Sequence, residues 1–383
     1  MLKTGDIFEA SVKDLASDGR GVVQHPSGRT CFVPGVWTGE QGRFQVTGSK
    51  GRIGFARLLE LNPATRHSGR VEAPCVHHGH DASHCGGCPW QFVDYASQLE
   101  AKQQRVLQSM ARLGAEAAVK SILPSDRQLG YRNRAQLKTD GQRLGYVAFQ
   151  SNQLVAVERC LILSEHNQHT LAELQARLPV DDWRPSRRQT WTTLDMDGNT
   201  TAATVSVNAR LPFQQANDQQ NGVMRQWLAG QLQALAPGFA ATELFCGSGN
   251  LTEVISGAEP ATLVAVEVVE AALVLLRERQ LPNAEVRCCD LFDEQAIQAL
   301  VPRLKKTDVL VLDPPRDGLK IRAPFLKNYA RLKTVLYISC DLATFSRDLA
   351  DFIAAGFRVT EVQPLDMFPH TPHIELMACL RRG

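Results

Sequence analysis

No stretch of the 383-residue chain approaches the roughly 18 consecutive apolar residues of a membrane-spanning helix, so no membrane span is expected. The opening segment Met1–Asp14 lacks an apolar core of the signal-peptide kind, and a cytoplasmic location follows as the expectation. Internal repeats and low-complexity tracts are missing, which argues against solenoid arrays and disordered tails. A large net charge is missing too, at +2, so bulk charge alone identifies no partner. With no secretory leader, the even number of cysteines, ten, does not argue for disulfides. Clustered thiols in a reducing compartment more often bind metal or do chemistry.

What is present is unevenly distributed. Residues 1–160 hold 20 Lys and Arg against 14 Asp and Glu, a surplus of six; residues 161–383 hold 22 against 26, a deficit of four. From Arg20 to Arg70 eight basic residues face only Glu40 and Glu60. Such a module suits a phosphate backbone, although a solvated charged face gives the same counts.

The length predicts two or three domains. Residues 1–66 alternate short apolar stretches (Ile7–Val12, Gly21–Val23, Cys31–Val33, Arg43–Val46, Ile53–Leu59) with Gly-rich turns, as an OB-like β-barrel does. Residues 67–210 read as a central β-rich α+β domain opening on a loop of His, Gly and Cys. Its candidate strands are Tyr131–Lys138, Leu144–Phe149, Leu154–Cys160 and Thr201–Val207. A helix is predicted over 96–113, with Leu99, Val106, Leu107, Met110 and Leu113 on one face. Residues 211–383 alternate strands (Thr242–Phe245, Thr262–Val266, Glu285–Cys289, Val309–Leu312, Val335–Ser339, Arg358–Val362, Ile374–Leu380) with helices. The fold class is therefore multidomain α/β, ending in a doubly wound, Rossmann-like domain.

Four motifs in this last domain carry chemistry. Glu243-Leu-Phe-Cys-Gly-Ser-Gly-Asn250 is a glycine turn between strand and helix, and the next strand ends about twenty residues later at Glu267. That pattern indicates an adenosine cofactor; S-adenosylmethionine and a dinucleotide both fit it. Asp313-Pro-Pro-Arg316 ends the fourth strand beside the cofactor crevice, because proline cannot continue a central strand. Ile338-Ser-Cys340-Asp places a thiol at the end of the fifth strand, where it is either a nucleophile or a small buried hydrophobe. Met367-Phe-Pro-His-Thr-Pro-His-Ile-Glu375 brings an acid, two imidazoles and a ring to the last strand, with Glu375 a hydrogen-bond partner or a base. Outside this domain, Cys85-x2-Cys88 with Cys75 and Cys160 gives four thiols, suited to a [4Fe–4S] cluster or zinc.

Together these motifs resemble the RNA (uracil-5-)-methyltransferase family over nearly the whole chain, most strongly from Phe213 onward. The N-terminal barrel looks like the TRAM domain of its 23S ribosomal RNA members, and Cys85-Gly-Gly-Cys-Pro-Trp-Gln91 like their iron–sulfur segment. The resemblance makes Cys340 the nucleophile and Glu375 the base. It places Gln214, Phe245, Gly247, Asn250, Glu267, Asp290 and Asp313 around S-adenosylmethionine. It makes Cys75, Cys85, Cys88 and Cys160 the [4Fe–4S] ligands, although the interval between Cys75 and Cys85 is longer than usual in that family. It implies that helix 96–113 packs with the catalytic domain, and that the partner is RNA, ribosomal by the barrel. A monomer is the default expectation.

Carbon 5 of uracil is a poor nucleophile until a thiolate adds to carbon 6, so the site needs a thiolate, a base and an aligned methyl donor. The target base must be single-stranded or flipped out. Phe368 is a candidate pocket wall and Tyr131-Arg-Asn-Arg134 a candidate RNA contact. The rival readings are a transfer RNA uracil-5 or RNA cytosine-5 methyltransferase and an inactive RNA-binding relative. A dehydrogenase would leave Cys340 and Glu375 without a role.

Overall fold

The computed structural model describes residues 2–326 and 329–383. The chain forms two compact units, each assembled from separated segments. The first holds the residues up to Ala101, Arg127–Arg210 and Phe368–His373; the second holds Lys102–Asp126, Leu211–Met367 and Ile374–Gly383.

In the first unit, β1 (Ile7–Leu15), β2 (Gly21–Gln24), β3 (Thr30–Val33), β4 (Gln41–Lys50) and β5 (Ile53–Leu61) close a barrel in the order β1-β2-β3-β5-β4. Closure leaves no sheet edge. Alternate side chains, among them Phe8, Val12, Val23, Val33, Phe44 and Val46, fill the interior. Glu40 is not part of the charged face: it is fully buried, accepting hydrogen bonds from the backbone of Trp37 and His67 and an ion pair from Arg70.

The rest of this unit is a five-stranded antiparallel sheet. Its strands β6 (Ala135–Thr139), β7 (Leu144–Val147), β8 (Leu154–Ala156), β9 (Thr192–Met196) and β10 (Ser206–Val207) run in the order β10-β9-β6-β7-β8. Three expected strands are shorter than the sequence suggested, and Thr201–Val207 contributes only Ser206–Val207. Two elements were not foreseen. Strand β9 is rich in Thr and carries Asp195, so it lacks an apolar alternation. Helix α2 (Glu165–Ala176, counting as α1 the helix Tyr95–Ala111) buries only Leu171 and Leu174 among its large apolar side chains, too few for a stripe. Its start is fixed by Ser164, which accepts from the Asn167 N–H.

Helix α1 begins in the first unit and ends in the second. Its buried positions are Gln98, Lys102, Val106 and Met110, whereas Leu99 and Leu107 are half-buried. Two polar residues thus occupy the inner face, each with partners described below.

The second unit runs α3 (Asp218–Gln233), β11 (Ala240–Leu244), α4 (Thr252–Gly257), β12 (Thr262–Glu267), α5 (Glu270–Glu278), β13 (Ala284–Cys288) and α6 (Glu294–Leu304). It continues with β14 (Val309–Leu312), α7 (Ala323–Leu326), β15 (Thr334–Ser339), α8 (Leu342–Ala354), β16 (Arg358–Leu365) and β17 (Glu375–Arg381). The seven strands lie in the order β13-β12-β11-β14-β15-β17-β16, with β17 antiparallel to both neighbours and the other pairs parallel. The parallel strands β14 and β15 are buried throughout, because helices cover both faces of such a sheet. Val106 and Met110 of α1 lie in its core with Leu310, Leu312, Tyr337 and Leu376. Successive strands are added outward on one side as far as β13 and then on the other side from β14, so the strand order reverses between the parallel neighbours β11 and β14, which opens the crevice where ligands of such sheets bind. Among the described residues, no helix is long and apolar enough to cross a membrane.

Candidate active site

The turn after β11 stands at that switch point. Phe245, Gly247 and Gly249 have φ of 64°, 53° and 93°, a left-handed backbone that costs energy at the phenylalanine. Glu267, at the end of β12, holds the turn in place. Its carboxylate accepts from the N–H of Gly247 at 3.1 Å, Val268 at 2.8 Å and Val269 at 3.0 Å. Asn250 exchanges two hydrogen bonds with Asn221 of α3, at 3.0 and 2.8 Å. Asp313 follows β14 directly beside this turn, its N–H donating to the Leu244 carbonyl at 3.4 Å, and burial pushes its carboxyl up to about 7.

Asp290 accepts from the Phe292 N–H at 2.8 Å after β13. Gln214 is exposed in the loop that leads into α3. The structure adds three residues the sequence did not single out. Val268 is 50% exposed and Phe292 37% exposed, with the Phe292 ring 5.9 Å from that of Phe245, so apolar side chains flank Glu267 and Asp290. Glu243 is fully buried in β11; burial raises its carboxyl to about 8, a Thr252 hydrogen bond opposes that, and Asp313 and Glu267 add to it. The signal for Glu243 was visible as a carboxylate inside an otherwise apolar strand.

Cys340 and Glu375 stand at the same rim of the sheet. Ser339 of β15 pairs with Leu376 of β17, so the residue after one strand meets the first residue of the other. Cys340 is half-buried and immediately precedes α8, whose N-cap Asp341 accepts from the Thr344 N–H at 2.9 Å. The helix N-terminus favours negative charge there. Burial, then the charges of Glu375 and Asp313, push the Cys340 thiol up to about 12, and Arg316 opposes them. Burial and Asp313 also push Glu375 well above the ordinary carboxylate range, again opposed by Arg316. Arg316, in fourth place after Asp313-Pro-Pro, is therefore the cation that faces both groups. The arrangement can deliver a thiolate and a proton acceptor to one bound ring, once a further positive charge or a higher pH releases their protons.

The family profile for tRNA (uracil-5-)-methyltransferase matches residues 192–383. An uncharacterised RNA methyltransferase of Nitrosomonas europaea is 40% identical over 382 residues, 98% of this chain and 97% of its own length. The chain belongs to the RNA (uracil-5-)-methyltransferase family. A 23S rRNA (uracil(1939)-C(5))-methyltransferase of Halomonas elongata is 31% identical, over 97% of this chain and 89% of its own. The crystal structure of Pyrococcus abyssi tRNA (uracil-54, C5)-methyltransferase with S-adenosyl-L-homocysteine shares the fold. Its TM-score is 0.69 at 20% identity, covering 97% of this chain and 100% of that one.

In this family member the segment before the Phe368–His373 loop is clamped inside the second unit. Lys102 of α1 and Asp366 form an ion pair of 2.6 Å with both side chains fully buried. Gln220 donates to the Asp366 carbonyl at 2.8 Å, and Asn217, the N-cap of α3, donates to the Met367 carbonyl at 3.1 Å. The loop itself belongs to the first unit. There the Trp90 N–H donates to the His370 carbonyl at 3.0 Å, and the His370 N–H to Gln98 at 2.8 Å. Phe368 is half-buried, 5.7 Å from the guanidinium of Arg132.

The four candidate ligand thiols are brought together in the first unit. Burial is the main cause that raises Cys85 (to about 11), Cys88 and Cys160, and each of the six pairs among Cys75, Cys85, Cys88 and Cys160 adds mutual repulsion of thiolates. The Tyr146 hydroxyl bonds Cys160. Among the described residues, no three His, Cys, Asp or Glu side chains meet in a metal-ligating arrangement. The histidines of the long interval have other partners: His78 donates from Nδ1 to the Cys88 carbonyl at 3.1 Å, and His80 from Nε2 to that of Pro89 at 3.0 Å. They brace the cysteine segment. Four half-buried thiols that face one another are a donor set that fits an iron–sulfur cluster or zinc.

Proposed function

We propose that the protein methylates carbon 5 of a uridine in 23S ribosomal RNA through a covalent Cys340 adduct. The observation that carries the reading is the apposition of Cys340 and Glu375 at the rim of β15 and β17, with Arg316 acting on both. Bound S-adenosylmethionine supplies an electrophilic methyl group. Glu267 and Asp290 are suited to its polar hydroxyl and amine groups. The Phe245, Val268 and Phe292 side chains suit its base, with Gly247, Asn250, Asp313 and Gln214 around the rest.

Cys340 loses its proton to solvent, and its sulfur bonds carbon 6 of the uracil, moving the electron pair onto carbon 5. Carbon 5 then takes the methyl group as the methyl–sulfur bond of the donor breaks, which leaves S-adenosylhomocysteine as the product. Glu375 removes the proton that carbon 5 still carries, and the carbon 6–sulfur bond breaks to return the thiolate. Cys75, Cys85, Cys88 and Cys160 hold a [4Fe–4S] cluster, with zinc the second choice. The barrel grips phosphates. The ribosomal target rests on the Halomonas relative, whose alignment includes the barrel. One chain carries every group the scheme uses, so a cytoplasmic monomer suffices.

The test incubates undermodified ribosomal and transfer RNA separately with the protein and labelled S-adenosylmethionine. Nucleosides are then quantified by mass spectrometry, with Cys340→Ala alongside. The expected result is 5-methyluridine in 23S RNA from the wild type and none from the variant. Label in 5-methylcytidine, or in transfer RNA alone, would refute the substrate assignment.

A further inference from the structure

Strands β14 and β15 run parallel with Leu312 opposite Tyr337. The chain that leaves β14 through Asp313-Pro-Pro-Arg316 therefore passes beside the one that leaves β15 through Cys340. The first of these turns at once. The Gly318 N–H donates to the Pro315 carbonyl at 2.8 Å, closing a four-residue turn with Arg316 and Asp317 at its corners. Asp317 pairs with Lys320 at 2.8 Å, so the carboxylate next to Arg316 has a cation of its own. The second chain passes through Asp341 straight into helix α8.

Helix α8 grips that turn along its main chain. The Thr344 hydroxyl lies 3.1 Å from the Arg316 carbonyl, while the N–H of the same residue is held by Asp341. Arg347 donates to the carbonyls of Asp317 at 3.0 Å and Leu319 at 3.4 Å, and Asp348 accepts from the Leu319 N–H at 2.8 Å. Gly318 has φ of 65°, and a side chain there would lie 2.5 Å from the Asp348 carboxylate and 3.0 Å from Thr344, so the turn rests directly on the helix. Asp348 is fully buried on a face otherwise formed by Phe345, Leu349 and Phe352. A carboxylate in such a place is costly unless its oxygens are paired. One oxygen accepts from the Tyr337 hydroxyl of β15 at 2.6 Å as well as from the turn; the other accepts from Arg347 at 2.9 Å and has Arg322 at 3.7 Å. Strand, turn and helix thus meet on one side chain that does not touch the thiol's own neighbours.

We propose that Thr344, Arg347 and Asp348 are positioning residues for the methyl transfer: they fix the turn that presents Arg316 to Cys340 and Glu375, so that one helix sets both the nucleophile at its start and the cation facing it. The inference rests on the role proposed above for Cys340 and adds what holds the opposing charge in place. The charged groups that face the thiol are Glu375 at the start of β17, Asp313 and Arg316 after β14, and Asp341 at the start of α8. Those that face Asp348 are Arg347 and Arg322, with the Tyr337 hydroxyl. A guanidinium released a few ångströms into water keeps little of its effect on a half-buried group, because the attraction falls with both distance and dielectric. The sign separates this role from a direct one. Removing the Asp348 charge would by itself favour a thiolate at Cys340, whereas releasing Arg316 disfavours it. Thr344 carries no charge at all, so its hydroxyl reaches the thiol through the turn.

The test follows alkylation of Cys340 by iodoacetamide in the full chain, read by peptide mass spectrometry from roughly pH 6 to 10. Thr344→Val and Asp348→Asn are compared with wild type, each alone and combined with Arg316→Met. Each single variant should slow alkylation near pH 8 several-fold, up to the roughly tenfold expected for Arg316→Met. In the Arg316→Met background neither should slow it further, because a misplaced guanidinium and a missing one are equivalent. Thr344→Ser, which keeps the hydroxyl, should restore the wild-type rate. Alkylation of Thr344→Val at the wild-type rate, faster alkylation of Asp348→Asn, or effects that add to that of Arg316→Met would overturn the proposal. Thr344→Val alone decides the matter if Asp348→Asn does not fold. The assay needs neither RNA nor methyl donor, so the two failures are distinguishable: loss of the proposed function shows instead as wild-type protein that is alkylated as expected and makes no 5-methyluridine.

Discussion

Cys340 and Cys88 are both thiols that burial pushes above their ordinary pKa, and they keep opposite company. Around Cys340 stand the carboxylates of Glu375, Asp313 and Asp341, with Arg316 opposing them. Around Cys88 stand three other thiols, with Arg132 opposing. In the first setting the charge that would release the thiolate is only partly supplied, so in the proposed mechanism the thiolate forms once a ligand is bound. In the second, the thiols hold their protons because four thiolates would repel one another, and a multivalent cation is the ligand that could displace those protons. In the proposed scheme one residue type is a switch in one unit and a clasp in the other, and the neighbours decide which.

The largest effect should come from removing the switch. Cys340→Ala should lower turnover by about 10⁴-fold or more while S-adenosylmethionine still binds, measured by nucleoside analysis and calorimetry. Glu375→Gln should cost about 10²- to 10⁴-fold in kcat, and a covalent RNA–protein adduct should accumulate on denaturing gels because carbon 5 keeps its proton. The same variant should gain stability. Glu375 has its folded pKa raised, so the wild type is favoured below the unfolded value of 4.5 and loses that stability as pH rises. Thermal unfolding should therefore show Glu375→Gln more stable at pH 8 and no different at pH 4.

Cys88→Ser tests the clasp. It should abolish the iron content and visible absorbance of anaerobically purified protein, leaving affinity for S-adenosylmethionine unchanged. Wild-type protein that carries zinc and no iron would make the clasp a different one. The smallest effect tests Arg316. With the thiol at about 12, kcat/KM should rise close to tenfold per pH unit across roughly pH 6 to 9. Arg316→Met removes the charge that lowers both groups, so its profile should shift to higher pH by about one unit or less. An unshifted profile would show that Arg316 does not tune the thiol.

The switch and its sheet were readable from sequence because parallel strands are continuous apolar runs. Val309–Leu312 was expected and is found with the same bounds, and Cys340 and Glu375 stand out as a thiol and a carboxylate at the ends of such runs. The barrel was readable through its alternation. The five-stranded sheet was less so, since β9 is mostly Thr and Asp and its strands are short. Helix α1 shows the limit most clearly. Its apolar pattern pointed to Leu99 and Leu107, whereas Gln98 and Lys102 are the residues inside. They are buried because His370 and Asp366, more than 260 positions away, complete them, and no local period encodes such partners. Arg316, Val268 and Phe292 were missed for the same reason, since their roles come from what the strand ends bring beside them.

The interleaving of the two units bears on how such a gene can be cut. The matched family segment begins at residue 192, yet the core around the seven-stranded sheet contains Val106, Met110 and Ala115 from far upstream. Val119 and Leu123 also add bridges to Val362 and Leu365 of β16. A catalytic half expressed from the later residues alone would keep every reacting group and lose part of the floor beneath them, exposing the apolar surface that those side chains cover. Transplanting this catalyst onto another RNA-binding module, by recombination or by design, therefore requires carrying residues 102–126 along with it.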